Sequence, residues 1–222
     1  MTGNIKTDIA LTDSRRPPIG FYQGGTAMKM NTKTIVGMGI LTAVVVVLQA
    51  LAISIRFGVF SISLVLAPII IGAALYGVWA GGWLGLVFAI MVLATGDAAA
   101  FLAINIPGTI ITVFAKGICA GLLAGVVYKA LEKKNRTAAV VCAGIAAPVT
   151  NTGLFLVGCA LFFLPTVRAW GEAAGFTNVG VYMLTGFVGL NFIVELAINL
   201  VLASVIVRII QIALRSSESS FA

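Results

Sequence analysis

The 222-residue sequence contains no histidine, and only 9% of its residues are charged. Without histidine, neither a Ser-His-Asp hydrolase site nor a histidine-based zinc site can form. The cysteines Cys119, Cys142 and Cys159 lack metal or redox spacing, which favours a packing role. The sequence also lacks a G-x-x-x-x-G-K-[ST] loop, so the chain is not expected to use ATP by itself. We therefore predict a protein that is not an enzyme and holds no metal or cofactor.

Hydrophobic residues make up 60% of the sequence and give it a mean hydropathy of +1.12. Because soluble domains carry about 25% charged residues, this composition predicts an all-α integral membrane protein. Apolar runs bounded by glycine, proline or charge predict a bundle of six transmembrane helices. These predicted spans lie near residues 34–55, 62–76, 80–95, 108–128, 137–164 and 181–212. The second and third spans are short, so a single longer helix, giving five spans, is the alternative.

Basic residues predict the orientation of the bundle, since lysine and arginine near span ends stay on the cytoplasmic side. With the amino terminus inside, the outer loops hold only Arg56 and Arg168. The inner side holds Lys6, Arg15, Arg16, Lys29, Lys33, Lys129, Lys133, Lys134, Arg136, Arg208 and Arg215. Both termini are therefore predicted to be cytoplasmic. The net charge of +7 is explained by topology and contact with the lipid bilayer, without nucleic acid.

The predicted membrane domain covers residues 33–215. Residues 1–32 have mixed polarity and no continuous apolar core, so they predict a disordered segment rather than a cleavable signal peptide. Met28 and Met30 directly precede the first span, and we hypothesise that translation begins there. Residues 216–222 are predicted to be a short carboxy-terminal tail.

Small residues recur at every fourth position in two spans. Such strips let helix backbones approach closely, which stabilises helix pairs in lipid. The residues are Gly77, Gly81 and Gly85 in the third span and Gly117, Gly121 and Gly125 in the fourth. Close packing inside the bundle is the favoured interpretation. A shorter strip on the first span, Gly39 and Ala43, is interpreted either as packing or as a docking surface for another subunit.

Two charged residues lie inside apolar spans, Lys116 in the fourth and Glu195 in the sixth. A charge in hydrocarbon costs about 2.5–3.5 kcal/mol on insertion scales, so it usually faces a partner, a cavity or a ligand. Each belongs to a polar helix face. These faces comprise Thr109, Thr112 and Lys116 on the fourth span and Asn191, Glu195 and Asn199 on the sixth.

Two interpretations of Lys116 and Glu195 remain open: an ion pair that holds the bundle together, or a site that contacts a ligand. Asn151 follows the helix-loosening Pro148 in the fifth span and can donate and accept hydrogen bonds. Asp97, at a predicted outer mouth, is interpreted as a solvated loop residue. Capping the pocket beside the fourth helix is its alternative role.

The order of these elements resembles the substrate-binding S components of energy-coupling factor (ECF) vitamin transporters. The resemblance covers roughly residues 33–215. It rests on the small-residue strip of the first span, followed by FSISLVLAPIIIG (60–72), YGVWAG (76–81), KGICAGLLAGVVYK (116–129) and TNT (150–152).

The resemblance implies a six-helix subunit of a bacterial plasma membrane that captures a water-soluble vitamin or related micronutrient from outside. Its implied partners are an ECF transmembrane coupling subunit, contacted by Gly39 and Ala43, and two ATPase subunits. The implied substrate-binding residues are Arg56, Ser61, Ser63, Lys116, Asn151, Asn191 and Glu195.

Two features depart from the family pattern. Many members have arginine where this chain has Lys116, and alanine is usual where it has Gly39. A bidentate grip on a carboxylate is therefore not implied.

Two other functions are alternatives to this transporter subunit. One is a self-sufficient carrier in which Lys116 and Glu195 form a proton- or ion-coupled relay. The other is a structural subunit whose buried charges only hold the bundle together.

Overall fold

The computed structural model describes residues 32–52, 56–57, 60–61 and 64–219. Within these ranges, the side chains of residues 56–57, 60–61, 204, 211 and 213–219 are not described. The predicted site residue Ser63 and the side chains of Arg56 and Ser61 therefore lie outside the described residues. So does the predicted amino-terminal segment, apart from Thr32.

The described chain is almost entirely helical, as its long apolar runs predict. A two-residue antiparallel hairpin pairs β1 (Arg56–Phe57) with β2 (Phe60–Ser61), and a π-helical segment covers Tyr182–Phe187. The α-helices are α1 (Thr32–Ala52), α2 (Leu66–Tyr76), α3 (Val78–Ala94), α4 (Ala99–Leu102), α5 (Ile106–Leu131), α6 (Arg136–Phe162), α7 (Leu164–Ala173), α8 (Val179–Val181) and α9 (Gly189–Ser219).

Four segments are long and apolar enough to cross a membrane: Thr32–Ala52, Ile106–Leu131, Arg136–Phe162 and Gly189–Ile210. The apolar helices α2 and α3 are shorter. Large apolar side chains cover the outside of the bundle, including Trp79, Leu161 and Val201 at 76%, 71% and 73% exposure. Such a surface is unfavourable in water and favourable against lipid, so the fold is that of a multi-pass membrane protein.

The division between α2 and α3 falls at Gly77. Its φ of +96° lies in a region that residues with a side chain rarely adopt, so the helix cannot continue through it. Across this turn, a side chain at Gly72 would meet Leu84, and one at Gly81 would meet Ala73. These pairings define two antiparallel helices, and the alternative of one long helix is wrong.

The two glycine strips face each other across the α3–α5 contact. A Cβ added at Gly81 would collide with the carbonyl oxygen of Gly121, and one added at Gly85 with that of Gly117. The reciprocal substitutions would collide with the carbonyl oxygens of Gly81 and Gly85. The predicted close packing is confirmed, and both backbones approach at positions where only glycine fits.

The small strip of α1 behaves differently. Gly39 and Ala43 are both exposed, and a Cβ at Gly39 would meet nothing within 4 Å. The packing interpretation of this strip is therefore wrong within the described part of the chain. The strip remains a flat surface on the outside of the bundle.

The helix ends position the polar residues that follow. Asn105 caps α5 by accepting a hydrogen bond from the Gly108 amide at 2.9 Å, and this places Thr109 in the first turn. In α6 the helix continues through Pro148, so Asn151 lies on the same helix as the residues before the proline.

The predicted sixth span differs from the structure, because α8, the π-helical segment and α9 divide it.

Candidate functional site

Side chains from α1, α3, α5, α6 and α9 line one cavity at one end of the bundle. Gln49 lies in the last turn of α1, Val92 in the last turn of α3, and Asn191 in the first turn of α9. Besides Gln49 and Asn191, the polar residues that line the cavity are Asp97, Thr109, Thr112, Lys116, Asn151, Thr152 and Glu195. The α5–α6 connection, with its exposed basic residues Lys133, Lys134 and Arg136, lies at the opposite ends of these helices.

Four of the sequence-predicted binding residues line this cavity: Lys116, Asn151, Asn191 and Glu195. They come from α5, α6 and α9, so residues far apart in the sequence share one space. Asn199 is buried one turn further along α9, and its amide donates to the Glu195 carbonyl oxygen at 2.8 Å. The Asn199 side chain is therefore hydrogen-bonded within α9, and Asn199 is not among the residues that line the cavity.

Lys116 reaches the cavity between two phenylalanine rings. Its Nζ lies 5.7 Å from the Phe88 ring centroid and 5.4 Å from that of Phe155. Both distances are within the range of cation–π attraction. The carboxylates of Asp97 and Glu195 also attract the ammonium group through space. Among the residues that the structure describes, however, Lys116 forms no direct ion pair with Glu195.

Three cavity residues each leave one buried oxygen without a hydrogen-bond partner in the described part of the chain. The atoms are Gln49 Oε1, Asn151 Oδ1 and Glu195 Oε1. Their side chains are only 1%, 7% and 1% exposed, so bulk water does not reach them freely. A buried acceptor without a partner costs about 1–3 kcal/mol. Three residues of one cavity therefore each have a buried acceptor for which the described protein supplies no donor.

Asp97 belongs to the cavity wall. Its Oδ2 accepts a hydrogen bond from Gln49 Nε2 at 3.3 Å, which ties the loop after α3 to α1. The interpretation of Asp97 as a solvated loop residue is therefore wrong. Its burial is intermediate, and its carboxylate adds negative charge opposite Lys116.

Thr109 and Thr112 contribute less polarity than their helix positions suggest. The Thr109 hydroxyl donates to the Asn105 carbonyl oxygen at 2.8 Å, and the Thr112 hydroxyl donates to that of Gly108 at 2.8 Å. Because each hydroxyl proton is used within α5, these residues can offer only acceptor lone pairs to the cavity.

An aromatic cluster forms the apolar wall of the cavity. The Phe101 ring packs edge-on against Phe155 at 5.4 Å and against Phe163 at 5.0 Å between centroids. The Phe187 ring, in the π-helical segment, stacks on Phe155 at 6.0 Å. Of these rings, Phe101, Phe155 and Phe163 line the cavity and give it an apolar, aromatic side.

Gln49 and Phe88 line the cavity, and the sequence pattern did not single them out. Gln49 is the one polar residue in the apolar run VVVVLQALA, and this isolation was a usable signal. Phe88 carried no signal, because a phenylalanine in an apolar span is most often a packing residue.

The cavity suits a compact ligand. The cavity volume is about 80 Å³. One water needs roughly 10–15 Å³ by the same measure, so the space holds several waters or a small ring. Cation, carboxylates, amide groups and aromatic rings all border it, a combination typical of sites that orient a polar small molecule.

The fold is that of a multi-pass helical membrane protein, and it contains a cavity lined by polar side chains. The family model for the substrate-specific component of ECF transporters matches residues 33–209, so the chain belongs to this family. It is therefore a substrate-binding subunit of a transporter that works with an ECF module, rather than an enzyme. No curated protein and no solved structure matches the chain.

Proposed function

We propose that this protein captures a water-soluble vitamin or related micronutrient in the cavity between α1, α3, α5, α6 and α9. The observation that carries the proposal is the set of three unpartnered buried oxygens on residues that line the same cavity as Lys116. Family membership supports a substrate site in this bundle. In this proposal, Lys116, Asn151, Asn191 and Glu195 bind the substrate, and Arg56, Ser61 and Ser63 complete the site from the loop after α1.

We further propose that the bundle crosses a bacterial plasma membrane six times, with both termini in the cytoplasm. The exposed basic residues of the α5–α6 connection then face the cytoplasm, as the positive-inside rule favours. The cavity lies toward the other end of these helices, so it opens in the outer half of the membrane. A nutrient arriving from outside would meet it first.

The energy for uptake is proposed to come from partners, a membrane coupling subunit and two ATPases. The exposed strip Gly39 and Ala43 on α1 is the proposed contact with the coupling subunit. Small residues on a lipid-facing surface allow another helix to approach closely.

Replacing Gly39 with leucine tests this docking surface. A Cβ added at Gly39 meets nothing within 4 Å among the described residues, so folding and substrate binding are expected to stay within about twofold of the wild type. Co-purification with the coupling subunit and uptake in reconstituted liposomes are expected to fall at least tenfold. Leucine at Ile40, an exposed neighbour on α1, is the matched control and should leave uptake unchanged. Normal uptake by the Gly39 variant would contradict the proposed contact.

Liposomes also separate an ATP-dependent importer from a self-sufficient carrier. Liposomes that hold the complete complex and internal ATP should accumulate the nutrient, and those that hold this chain alone should not. Accumulation by the chain alone would instead support a relay through Lys116 and Glu195, and the proposed dependence on partners would be wrong.

A further inference from the structure

Lys116 and Glu195 line the same cavity, yet in the described part of the chain their side chains form no direct ion pair. Opposite charges inside a membrane protein usually pair, because neither is well solvated there. The Lys116 ammonium group instead lies between two rings, 5.7 Å from the Phe88 centroid and 5.4 Å from that of Phe155. The two ring faces therefore take the place that a carboxylate partner would have.

A close helix contact positions the first of these rings. A Cβ added at Gly85 in α3 would collide with the carbonyl oxygen of Gly117 in α5. One added at Gly117 would lie 3.4 Å from Cδ1 of the Phe88 ring. Because Gly117 directly follows Lys116 in the chain, the close approach of α3 and α5 brings the Phe88 ring beside the lysine.

A second close contact positions the other ring. A Cβ added at Gly158 in α6 would collide with the Thr112 side chain of α5. Thr112 lies one turn before Lys116, and Gly158 lies one turn after Phe155. The helices are antiparallel across the short connection 132–135, so these offsets place Phe155 level with the lysine. Backbone contacts therefore hold a ring on each side of the ammonium group.

We infer that Phe88 and Phe155 are positioning residues for Lys116. Their ring faces hold the ammonium group at the cavity wall and apart from Glu195, so that it stays a charged donor for the substrate. The attraction to the rings can persist when substrate binds, because it is electrostatic and the ammonium group has three N–H donors. A direct pair with Glu195 would first have to break. The inference rests on the proposed function and adds two residues that act through Lys116.

Nuclear magnetic resonance of Lys116 tests the contact without any substrate. The full chain would be labelled with ¹³C at the lysine Cε, and the Lys116 signal would be identified by its absence from Lys116→Met. Protons over a ring face shift upfield, so this signal should lie upfield of that of the exposed Lys129. Phe88→Leu and Phe155→Leu should each move it part of the way back, and Glu195→Gln should move it less than either.

Two results of this comparison would overturn the inference. One is a Lys116 signal that keeps its position in both ring variants, since the rings would then not hold the ammonium group. The other is a signal that moves most in Glu195→Gln, since the carboxylate would then hold it.

A double-mutant cycle tests the consequence for binding. The probe is the compound that the wild-type protein releases on denaturation, identified by mass spectrometry and added back in pure form. Trifluorophenylalanine at position 155 nearly keeps the shape of the ring but withdraws electron density from its face, so packing is preserved while the cation–π attraction falls. Affinity should fall about three- to tenfold in the wild-type background and by less than about twofold in Lys116→Met.

Phe163 provides the matched control for this cycle. Its ring also lines the cavity, and it packs against Phe101 at 5.0 Å between centroids. In the described part of the chain, only the rings of Phe88 and Phe155 lie within cation–π distance of Lys116. Trifluorophenylalanine at position 163 should therefore change affinity by the same factor in the wild-type and Lys116→Met backgrounds.

The failures of the two proposals are distinguishable. If the change at Phe155 costs no affinity in the wild-type background, or costs the same in both backgrounds, the positioning role is overturned, while substrate binding by the cavity stands. If Lys116→Met binds the compound as the wild type does, the proposed substrate site is overturned, and the resonance comparison still decides whether the rings hold the lysine. If the wild type releases no compound, that comparison alone decides the positioning role.

Discussion

Replacing Lys116 with methionine is expected to weaken substrate binding by about ten- to hundredfold without unfolding the protein. A hydrogen bond to a charged group contributes about 1.5–3 kcal/mol, and each 1.4 kcal/mol is about tenfold in affinity. Methionine is unbranched and only one atom shorter than lysine, and its sulfur can pack against the Phe88 and Phe155 rings that flank the ammonium group. Titration of the purified variant with the substrate measures the effect.

Lys129 provides the matched control for this experiment. It lies on the same helix, α5, but in the last turn and exposed, at the end away from the cavity. Lys129→Met should bind the substrate as the wild type does, within about twofold. Equal affinities of the Lys116 and Lys129 variants would show that the cavity residue does not contact the substrate.

Replacing Gly121 with leucine is expected to prevent α3 and α5 from packing. Its new Cβ would collide with the carbonyl oxygen of Gly81, a backbone atom that cannot rotate away as a side chain would. Overpacking typically lowers the free energy of unfolding by about 1–3 kcal/mol and occasionally by more. We expect Gly121→Leu to be at the upper end of this range. We expect little monodisperse protein on size exclusion and complete loss of substrate binding, since α3 and α5 both line the cavity.

Leucine at Gly39 separates this effect from a general sensitivity of glycine positions. Gly39 is also in an apolar helix, but its added Cβ would meet nothing within 4 Å. The Gly39 variant should elute as a single species with the thermal stability of the wild type. If Gly121→Leu were equally stable, the close approach of α3 and α5 would not be what holds this part of the bundle together.

The helices could be predicted because long apolar runs have one stable arrangement in lipid, with all backbone hydrogen bonds formed inside the helix. Glycine spacing also predicted close packing inside the bundle, because small residues four apart let another backbone approach. That this packing joins α3 to α5 is known only from the structure. The π-helical segment Tyr182–Phe187 could not be foreseen in the same way. Its sequence, YMLTGF, is apolar and continues the run of the predicted sixth span.

The candidate site was predictable in part. Lys116 and Glu195 stand out because charge in an apolar span is costly, and the spacing of Asn191 relative to Glu195 marks a shared face. Asp97 was misinterpreted because a loop residue looks solvated until the packing of Gln49 against it is known. Contacts between helices depend on the tertiary fold. The sequences of α1 and of the loop after α3 therefore do not show, taken separately, that the two segments are in contact.

The central claim is that the cavity around Lys116 holds the substrate, and mass spectrometry of small molecules tests it most directly. The compounds released by denaturation would be compared for wild type, Lys116→Met and Lys129→Met, each purified in mild detergent. The account predicts one polar compound at close to one per protein in the wild type and in Lys129→Met, and its loss from Lys116→Met. The same compound at the same occupancy in all three proteins would contradict the account.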